Sequence, residues 1–252
     1  SLITFINLYD LIFIKPIKTK KHIVQFKGRY CDDINENNTV NRLLKILDKK
    51  NFLKGRKFYI KIDKNIPQKS GMGGGSMNAA SVLNFFVKKK FVYLNHKKIK
   101  NIANLVGKDV ILGIEPKNII LSSNGNLTKI KKKLGFYVLV TKPNFGCSTK
   151  YIYSKVRSFS KEKYNKPKIS LLNRSNILSY NNDLEKVAFK KYPALKKLKS
   201  FLSQIKNVTF VRMTGSGSCI VAYFLSKKAA VNGGRVFKRK FKNYWYIVSK
   251  TI

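Results

Sequence analysis

Apolar residues recur along this chain with two different periods, and the switches between those periods mark out its elements. Residues 11 to 17 and 20 to 27 are rich in Ile, Phe and Val and read as two strands. "NNTVNRLLKILDKK", Asn37 to Lys50, sets Val40, Leu43, Leu44 and Leu47 on one helical stripe, with Asn38 or Thr39 as its cap. "KFYIKI" at 57 to 62 alternates as a strand. From Ser76 to Lys89 the helical period returns through Ala79, Ala80, Val82, Leu83, Phe86 and Val87, and Asn95 to Val106 repeats it with Ile99, Ile102, Ala103 and Val106. "NIILS" and "LTKI" predict two short strands around an Asn124-Gly125 turn, and "FYVLVTKP" at 136 to 143 predicts a buried strand ended by proline.

A domain boundary falls close to residue 133 on this reading, giving domains of 1–133 and 134–252. Beyond it, Thr149 to Arg157 is helical in pattern, and Lys161 to Asn173 is polar and aperiodic, as a loop would be. Leu184 to Lys199 and the segment from Lys199 to Ile205 read as helices. "NVTFVRM" then leads as a strand into "TGSGS", followed by a second strand in "CIVAYFL". A helix near Lys227 to Lys238 and a strand at Tyr244 to Ser249 finish the chain. The order is mixed α and β, without a regular βαβ repeat and without internal repeats.

One stretch breaks the pattern. In "PQKSGMGGGSMNAA", Pro67 to Ala80, four glycines (Gly71, Gly73, Gly74 and Gly75) fall within five residues, after a strand and before a helix. Strand, glycine loop and helix are how backbone amides and a helix N-terminus are aimed at an anion. Ser76 is placed to cap the helix and to reach a phosphate oxygen or a magnesium ion. No acidic residue occurs between Asp63 and Asp109, which suits an anion. A Walker A loop is excluded because the glycines run into Ser-Met-Asn instead of Gly-Lys-Ser/Thr, and a dinucleotide fingerprint lacks its acid about twenty positions on. The second cluster, Gly215-Ser216-Gly217-Ser218, again follows a strand and suggests a site closed from two sides.

Composition narrows the setting. A chain of 252 residues with 44% apolar content can bury a core as one large domain or two smaller ones. No run approaches eighteen apolar residues, so no membrane span is expected. Asp10 and the lack of a basic leader argue against a signal peptide, and three separated cysteines, Cys31, Cys147 and Cys219, fit a reducing compartment. A cytoplasmic location is expected. The opening "SLITFINLYDLIFIKP" begins at Ser1 and reads like a strand entering a domain already in progress, which predicts a missing N-terminal piece.

Charge raises a rival. Fifty-three Lys and Arg against eleven Asp and Glu give a formal +42, and a basic surface attracts nucleic acid. The lysines are spread over very different contexts, however, as compositional drift in an AT-rich genome would spread them. The aromatics sit mostly inside apolar runs, which favours core roles. No specific nucleic-acid partner is expected on these grounds, and the oligomeric state stays open.

"IPQKSGMGGGSMNAASVL" resembles the central motif of GHMP-type small-molecule kinases, and its long Gly-Met-Gly-Gly-Gly-Ser form most resembles the branch that phosphorylates 4-diphosphocytidyl-2-C-methyl-D-erythritol. "VGKDVIL" is similar to that family's Gly-x-Asp-Val-Pro-Phe stretch, "YNNDLEKVAFKKYPAL" to its aromatic-x-Asn-Asp-x-Glu segment, and "MTGSGSCIVAYF" to its C-terminal glycine motif. The resemblance implies a two-domain α+β fold, its first half like ribosomal-protein S5 domain 2 and its second half ferredoxin-like. It implies transfer of the ATP γ-phosphoryl group, with Mg2+, to the C2 hydroxyl of the diphosphocytidyl substrate. Asp109 becomes the catalytic residue, and Pro67, Gly71, Met72, Gly73, Gly74, Gly75, Ser76 and Met77 the nucleotide loop, with Ser76 also able to touch magnesium. Tyr180, Gly215, Ser216, Gly217 and Ser218 become substrate contacts. Ile111 stands where the family usually has proline and Met77 where it has a second serine, and the family's opening Ala-Lys-Leu/Val-Asn strand and Gly-Tyr-His segment have no counterpart in these residues. Another kinase of the same family, a truncated inactive member and a non-enzymatic nucleic-acid binder are the alternatives.

Overall fold

The structure, a computed structural model, describes residues 1–32, 34–123, 125–130, 134–161 and 174–252. The chain divides into two compact units, one of Leu8–Gln68 with Gly73–Pro116 and one of Ser1–Asn7, Lys69–Met72 and Lys117–Ile252. The boundary read near residue 133 lies inside the second of these.

The unit holding Leu8–Gln68 is a three-stranded sheet covered on one face by helices. β2 (Leu11–Ile17) runs antiparallel to β4 (Lys57–Asp63), and β3 (Ile23–Lys27) runs parallel to it, so α1 (Thr39–Lys49) is the crossover between β3 and β4. Strand alternation sends Ile12, Ile14, Phe58, Ile60, Ile62, Val24 and Phe26 to one face, all within or against one apolar core. The α1 stripe Val40, Leu43, Leu44 and Leu47 closes that core, each side chain contributing roughly 1.5–3 kcal/mol by burial. Asn38 caps α1, its side chain accepting from the Val40 and Asn41 amides. α2 (Gly74–Lys88), α3 (His96–Val106) and a single-turn α4 (Val110–Ile114) complete the layer. Asn95 caps α3 through the Lys98 amide.

The other unit has two antiparallel sheets. One is β1 (Leu2–Ile3), β5 (Asn118–Leu121) and β6 (Leu127–Ile130), in that order. β5 and β6 pair as their pattern predicts, but Asn124 of the expected turn lies outside the described residues. The opening segment does enter strands, yet its first one joins β5, more than a hundred residues on.

The second sheet is ordered β10–β7–β9–β8: β7 (Tyr137–Lys142), β8 (Phe210–Met213), β9 (Ile220–Phe224) and β10 (Trp245–Lys250). One face packs on α7 (Leu184–Lys191), α8 (Pro193–Ser203) and α9 (Lys227–Lys240) through Leu139, Ala222 and Phe224 against Leu184, Leu198 and Phe237. The other face, Val138, Val140 and Val221, is covered partly by Met72 and Ile6.

α5 (Thr149–Ser154) is shorter than its pattern, and α6 (Arg174–Ser179) was not expected. Most of the loop expected over residues 161–173 lies outside the described residues. The helix expected from Leu184 to Lys199 is broken, because Pro193 lacks an N–H and starts α8 as its first residue.

Candidate active site

The glycine stretch is shared between the units, which divide at Met72 and Gly73. Its first half is bound to the second glycine cluster, main chain to main chain. The Ser218 and Cys219 amides donate to the Lys69 and Ser70 carbonyls at 3.3 and 3.1 Å, and Thr214 Oγ1 donates to the Gly71 carbonyl at 3.1 Å. Gly71 has φ +73°, and a Cβ there would lie 2.3 Å from the Thr214 oxygen. Gly215, at φ +50°, would bring a Cβ within 3.0 Å of the Gly71 oxygen. Neither position accepts a side chain without displacing the other loop. Met72 puts its side chain into the Val138, Val140 and Val221 cluster, so this residue, expected at the nucleotide, anchors the loop by packing.

The second half begins α2. Gly73 is the N-cap residue in left-handed geometry, φ 69° and ψ 15°, with no side-chain cap, and no acid occupies the first turn. The first amides of a helix have no intrahelical acceptor, and here no side chain takes their place. That arrangement fits a phosphate group. The expectation that Ser76 caps this helix is corrected: the left-handed glycine starts it earlier, and Ser76 is its third residue. Pro67 is buried just upstream.

α2 is held from three sides within its unit. Thr39 Oγ1 donates to the Gly75 carbonyl at 2.6 Å. Asn78 Nδ2 donates to Asp10 Oδ2 at 2.9 Å, and the same carboxylate accepts from the Asn65 and Ile66 amides at 2.8 and 2.9 Å and pairs with Lys64. The α4 backbone lies close enough that a Cβ on Gly113 would meet Met77 Sδ and Ala80 Cβ at 2.8 Å. Met77 therefore spends its thioether on packing against α4. Asp109 precedes α4, exposed, with no side-chain hydrogen bond or ion pair among the described residues.

The second glycine cluster is braced from behind. Asn182 Nδ2 donates to the Met213 and Gly215 carbonyls at 2.9 and 2.8 Å. Glu185 Oε1 accepts the Met213 amide at 2.7 Å on the open edge of β8, and its Oε2 pairs with Lys199. Ser216 Oγ meets Thr149 Oγ1 at 2.9 Å, and Ser218 Oγ donates inward to the Phe145 carbonyl at 2.8 Å, so a ligand would meet this loop chiefly through its backbone. Lys142 donates to the Pro143 and Phe145 carbonyls, both at 3.0 Å, stiffening the turn beneath. Burial pulls the Lys142 ammonium down and pushes the Cys147 thiol up to about 11, and raises Cys219 further still. Tyr180 is half-buried two residues before Asn182, and Asp183 accepts from the Ser160 amide and hydroxyl at 3.0 Å.

Asp10, Asn182 and Glu185 were not singled out by sequence reasoning. Asn182 and Glu185 lie inside "YNNDLEK" and were within reach of it. Asp10 had no local signal, since its donors arrive from 54 to 68 positions away.

Two glycine loops are braced by side chains, and one of them opens an uncapped helix suited to an anion. The chain belongs to the GHMP kinase family: the family's N-terminal domain profile matches residues 38–117 and its C-terminal profile residues 166–243. It is 56% identical, over 252 residues covering all of this chain and 90% of the relative, to the 4-diphosphocytidyl-2-C-methyl-D-erythritol kinase of Pelagibacter ubique (strain HTCC1062). It is 34% identical over 242 residues to the kinase of the same name from Buchnera aphidicola subsp. Schizaphis graminum, covering 91% of this chain and 77% of that one.

Among solved structures, a 4-(cytidine 5'-diphospho)-2C-methyl-D-erythritol kinase matches with a TM-score of 0.77 at 22% identity, over 99% of this chain and 89% of that one. Homoserine kinase from Cytophaga hutchinsonii matches at 0.74 and 16% identity, over 100% and 89%. The fold is thus the expected two-domain α+β kinase fold, and at these similarities it does not separate one acceptor from another. A kinase of this family is ATP-dependent. No helix among the described residues is long and apolar enough to cross a membrane.

Proposed function

We propose that this chain phosphorylates the C2 hydroxyl of 4-diphosphocytidyl-2-C-methyl-D-erythritol, a step in non-mevalonate isoprenoid precursor synthesis. The observation that carries the reading is 56% identity across the whole chain to a kinase of that name.

ATP supplies the phosphoryl group, and magnesium arriving with it neutralises phosphate charge. Among the described residues no group of three or more His, Cys, Asp or Glu is gathered to hold a metal by itself. Magnesium would be held chiefly by the nucleotide's phosphates, and the half-buried Ser76 hydroxyl in the first turn of α2 would be the protein group offered to it. The uncapped amides at the start of α2 hold phosphate oxygens, and Gly71 and Met72 contribute backbone only.

Asp109 accepts the proton of the C2 hydroxyl as that oxygen bonds to the γ-phosphorus and the bond to the leaving diphosphate breaks. Its carboxylate is exposed and unengaged among the described residues, which leaves it available for this part. Tyr180 stacks on the cytosine ring, and the backbone of Gly215 to Ser218 contacts the acceptor's phosphates. Cytoplasmic activity as a soluble enzyme belongs to the same reading.

The test offers the purified chain ATP with the diphosphocytidyl substrate, with homoserine and with mevalonate. Nucleotide consumption with the first alone, lost on Asp109→Asn, is expected. Preference for either other acceptor would assign a different kinase of the family, and a folded protein silent with all three would overturn the catalytic reading.

A further inference from the structure

The β2–β4–β3 sheet buries one face under helices and leaves the other uncovered by its own unit. Most aromatics were expected in core roles; on this outer face Phe13 and Tyr59 are exceptions. Phe13 is 52% exposed, and it meets Tyr59 of the neighbouring strand edge to face, centroids 6.5 Å apart. The Lys15 ammonium sits 5.5 Å from the centre of the Tyr59 ring, and Tyr59 Oη donates to Gln25 Oε1 at 2.8 Å. In register, Phe13, Lys61 and Gln25 form one row across the three strands and Lys15, Tyr59 and Ile23 the next. Rings therefore alternate with cations in both directions. Among the outward positions of these strands the only acid is Asp63, at the end of β4, opposite Lys27.

We propose that this face binds single-stranded RNA, with bases stacking on Phe13 and Tyr59 and phosphates taken by Lys15 and Lys61. A sheet face that sets the exposed ring of Phe13 and the half-buried ring of Tyr59 among lysines offers groups matched to both things an unpaired strand presents, the π-faces of its bases and the charge of its backbone. A second copy of this chain does not suit the surface, because it would set the same lysines against each other across a face with one acid, in a chain of net charge +42. An acidic peptide would satisfy the lysines and leave the rings without planar partners. Gln25 favours RNA over DNA: its oxygen is engaged by Tyr59, which turns its amide Nε2 into a donor beside a hydroxyl, a pair matched to a 2′-hydroxyl. None of these residues belongs to the kinase site, so the surface is independent of the phosphorylation reading.

The test is fluorescence anisotropy of a labelled oligouridylate of about twelve nucleotides, long enough to cross the sheet. Oligothymidylate of equal length and a polyglutamate peptide of equal charge serve as competitors. Phe13→Ala with Tyr59→Ala is expected to weaken binding about tenfold or more with an unchanged salt slope. Lys15→Gln with Lys61→Gln is expected to lower the slope of log K against log salt by about 1.4. Kinase turnover of both variants stays at the wild-type level. Absence of binding, equal binding by the ring variant, or equal competition by polyglutamate would overturn the proposal, and equal competition by oligothymidylate would overturn its assignment to RNA. Should the double ring variant fail to fold, Phe13→Gln alone, at a half-exposed position, carries the same comparison.

Discussion

Asn78 Nδ2 lies 2.9 Å from Asp10 Oδ2, a hydrogen bond that ties the second turn of α2 to the residue before β2. The Asp10 side chain is fully buried and Lys64, its ionic partner, is nearly so. Four donors converge on one carboxylate: three, from Lys64, Asn65 and Ile66, belong to the segment that leads into the glycine stretch, and the fourth, from Asn78, to the helix that follows it.

Removing that carboxylate strands a buried cation and leaves two backbone amides and the Asn78 side-chain amide without this acceptor. Asp10→Ala is expected to cost about 4 kcal/mol in urea unfolding. Adding Lys64→Met removes the stranded charge and is expected to recover about 1–2 kcal/mol of it. A double variant no more stable than the single one would show that the ion pair contributes little beside the amide contacts.

Gly71 and Gly73 share left-handed geometry and differ in their surroundings. A Cβ on Gly71 meets the Thr214 oxygen at 2.3 Å, whereas one on Gly73 meets nothing within 4 Å. Gly73→Ala should cost only the backbone strain, about 1 kcal/mol. Gly71→Ala adds displacement of the second glycine loop and should cost roughly 3 kcal/mol or more. Paired thermal-melt measurements decide it, and similar losses for the two would contradict the close approach of the loops.

His22 makes stability depend on pH. Its Nδ1 accepts the Phe58 amide at 3.1 Å, so the proton sits on Nε2, which lies 3.2 Å from Asp48 Oδ2 without the alignment of a hydrogen bond. Burial holds its pKa below the ordinary 6.5, with Lys57 adding to the effect and Asp48 opposing it. The unfolded chain therefore binds the proton more readily. Stability from this group is complete above about pH 6.5 and falls as pH drops from there towards the lowered folded value. Urea midpoints at about pH 5 and about pH 7.5 should differ more for the wild type than for His22→Asn, whose side-chain oxygen can accept the hydrogen bond of the Phe58 amide without titrating.

Of the three cysteines, Cys31 is half-buried, while Cys147 and Cys219 are buried with thiols raised by that burial. A thiol-reactive dye at neutral pH should label Cys31 quickly and the other two only on unfolding. Fast labelling that persists in Cys31→Ser would contradict the packing around β7 and β9.

Long periodic segments were legible from sequence because one turn or one strand carries its own signal. The α1 and α3 stripes came through intact, and of the two cap candidates for α1, Asn38 and Thr39, it is Asn38 that caps. Where reading failed, a distant residue or a single backbone angle decided the outcome. β1 is two residues long and exists only because β5 pairs with it. Ser76 looked like a cap because a glycine's left-handed φ cannot be seen in its letter. That Phe13 faces outward was not legible either, because alternation does not say which face of a strand is inward until the partner strand is placed. For the site, both glycine motifs stood out by composition, while the carboxylates and amides that brace them did not, since a satisfied Asp10 or Glu185 looks like any other acid.

The four residues Lys69–Met72 fold with the C-terminal unit although the chain on either side of them folds with the other. The polypeptide therefore crosses from one unit to the other four times, and no single cut, whether by protease, by intron or by a designed split, releases either unit whole. A fragment ending at residue 116 would carry the glycine stretch yet lack the strands on which its first half is built. Neither unit can be passed on as one uninterrupted stretch of sequence.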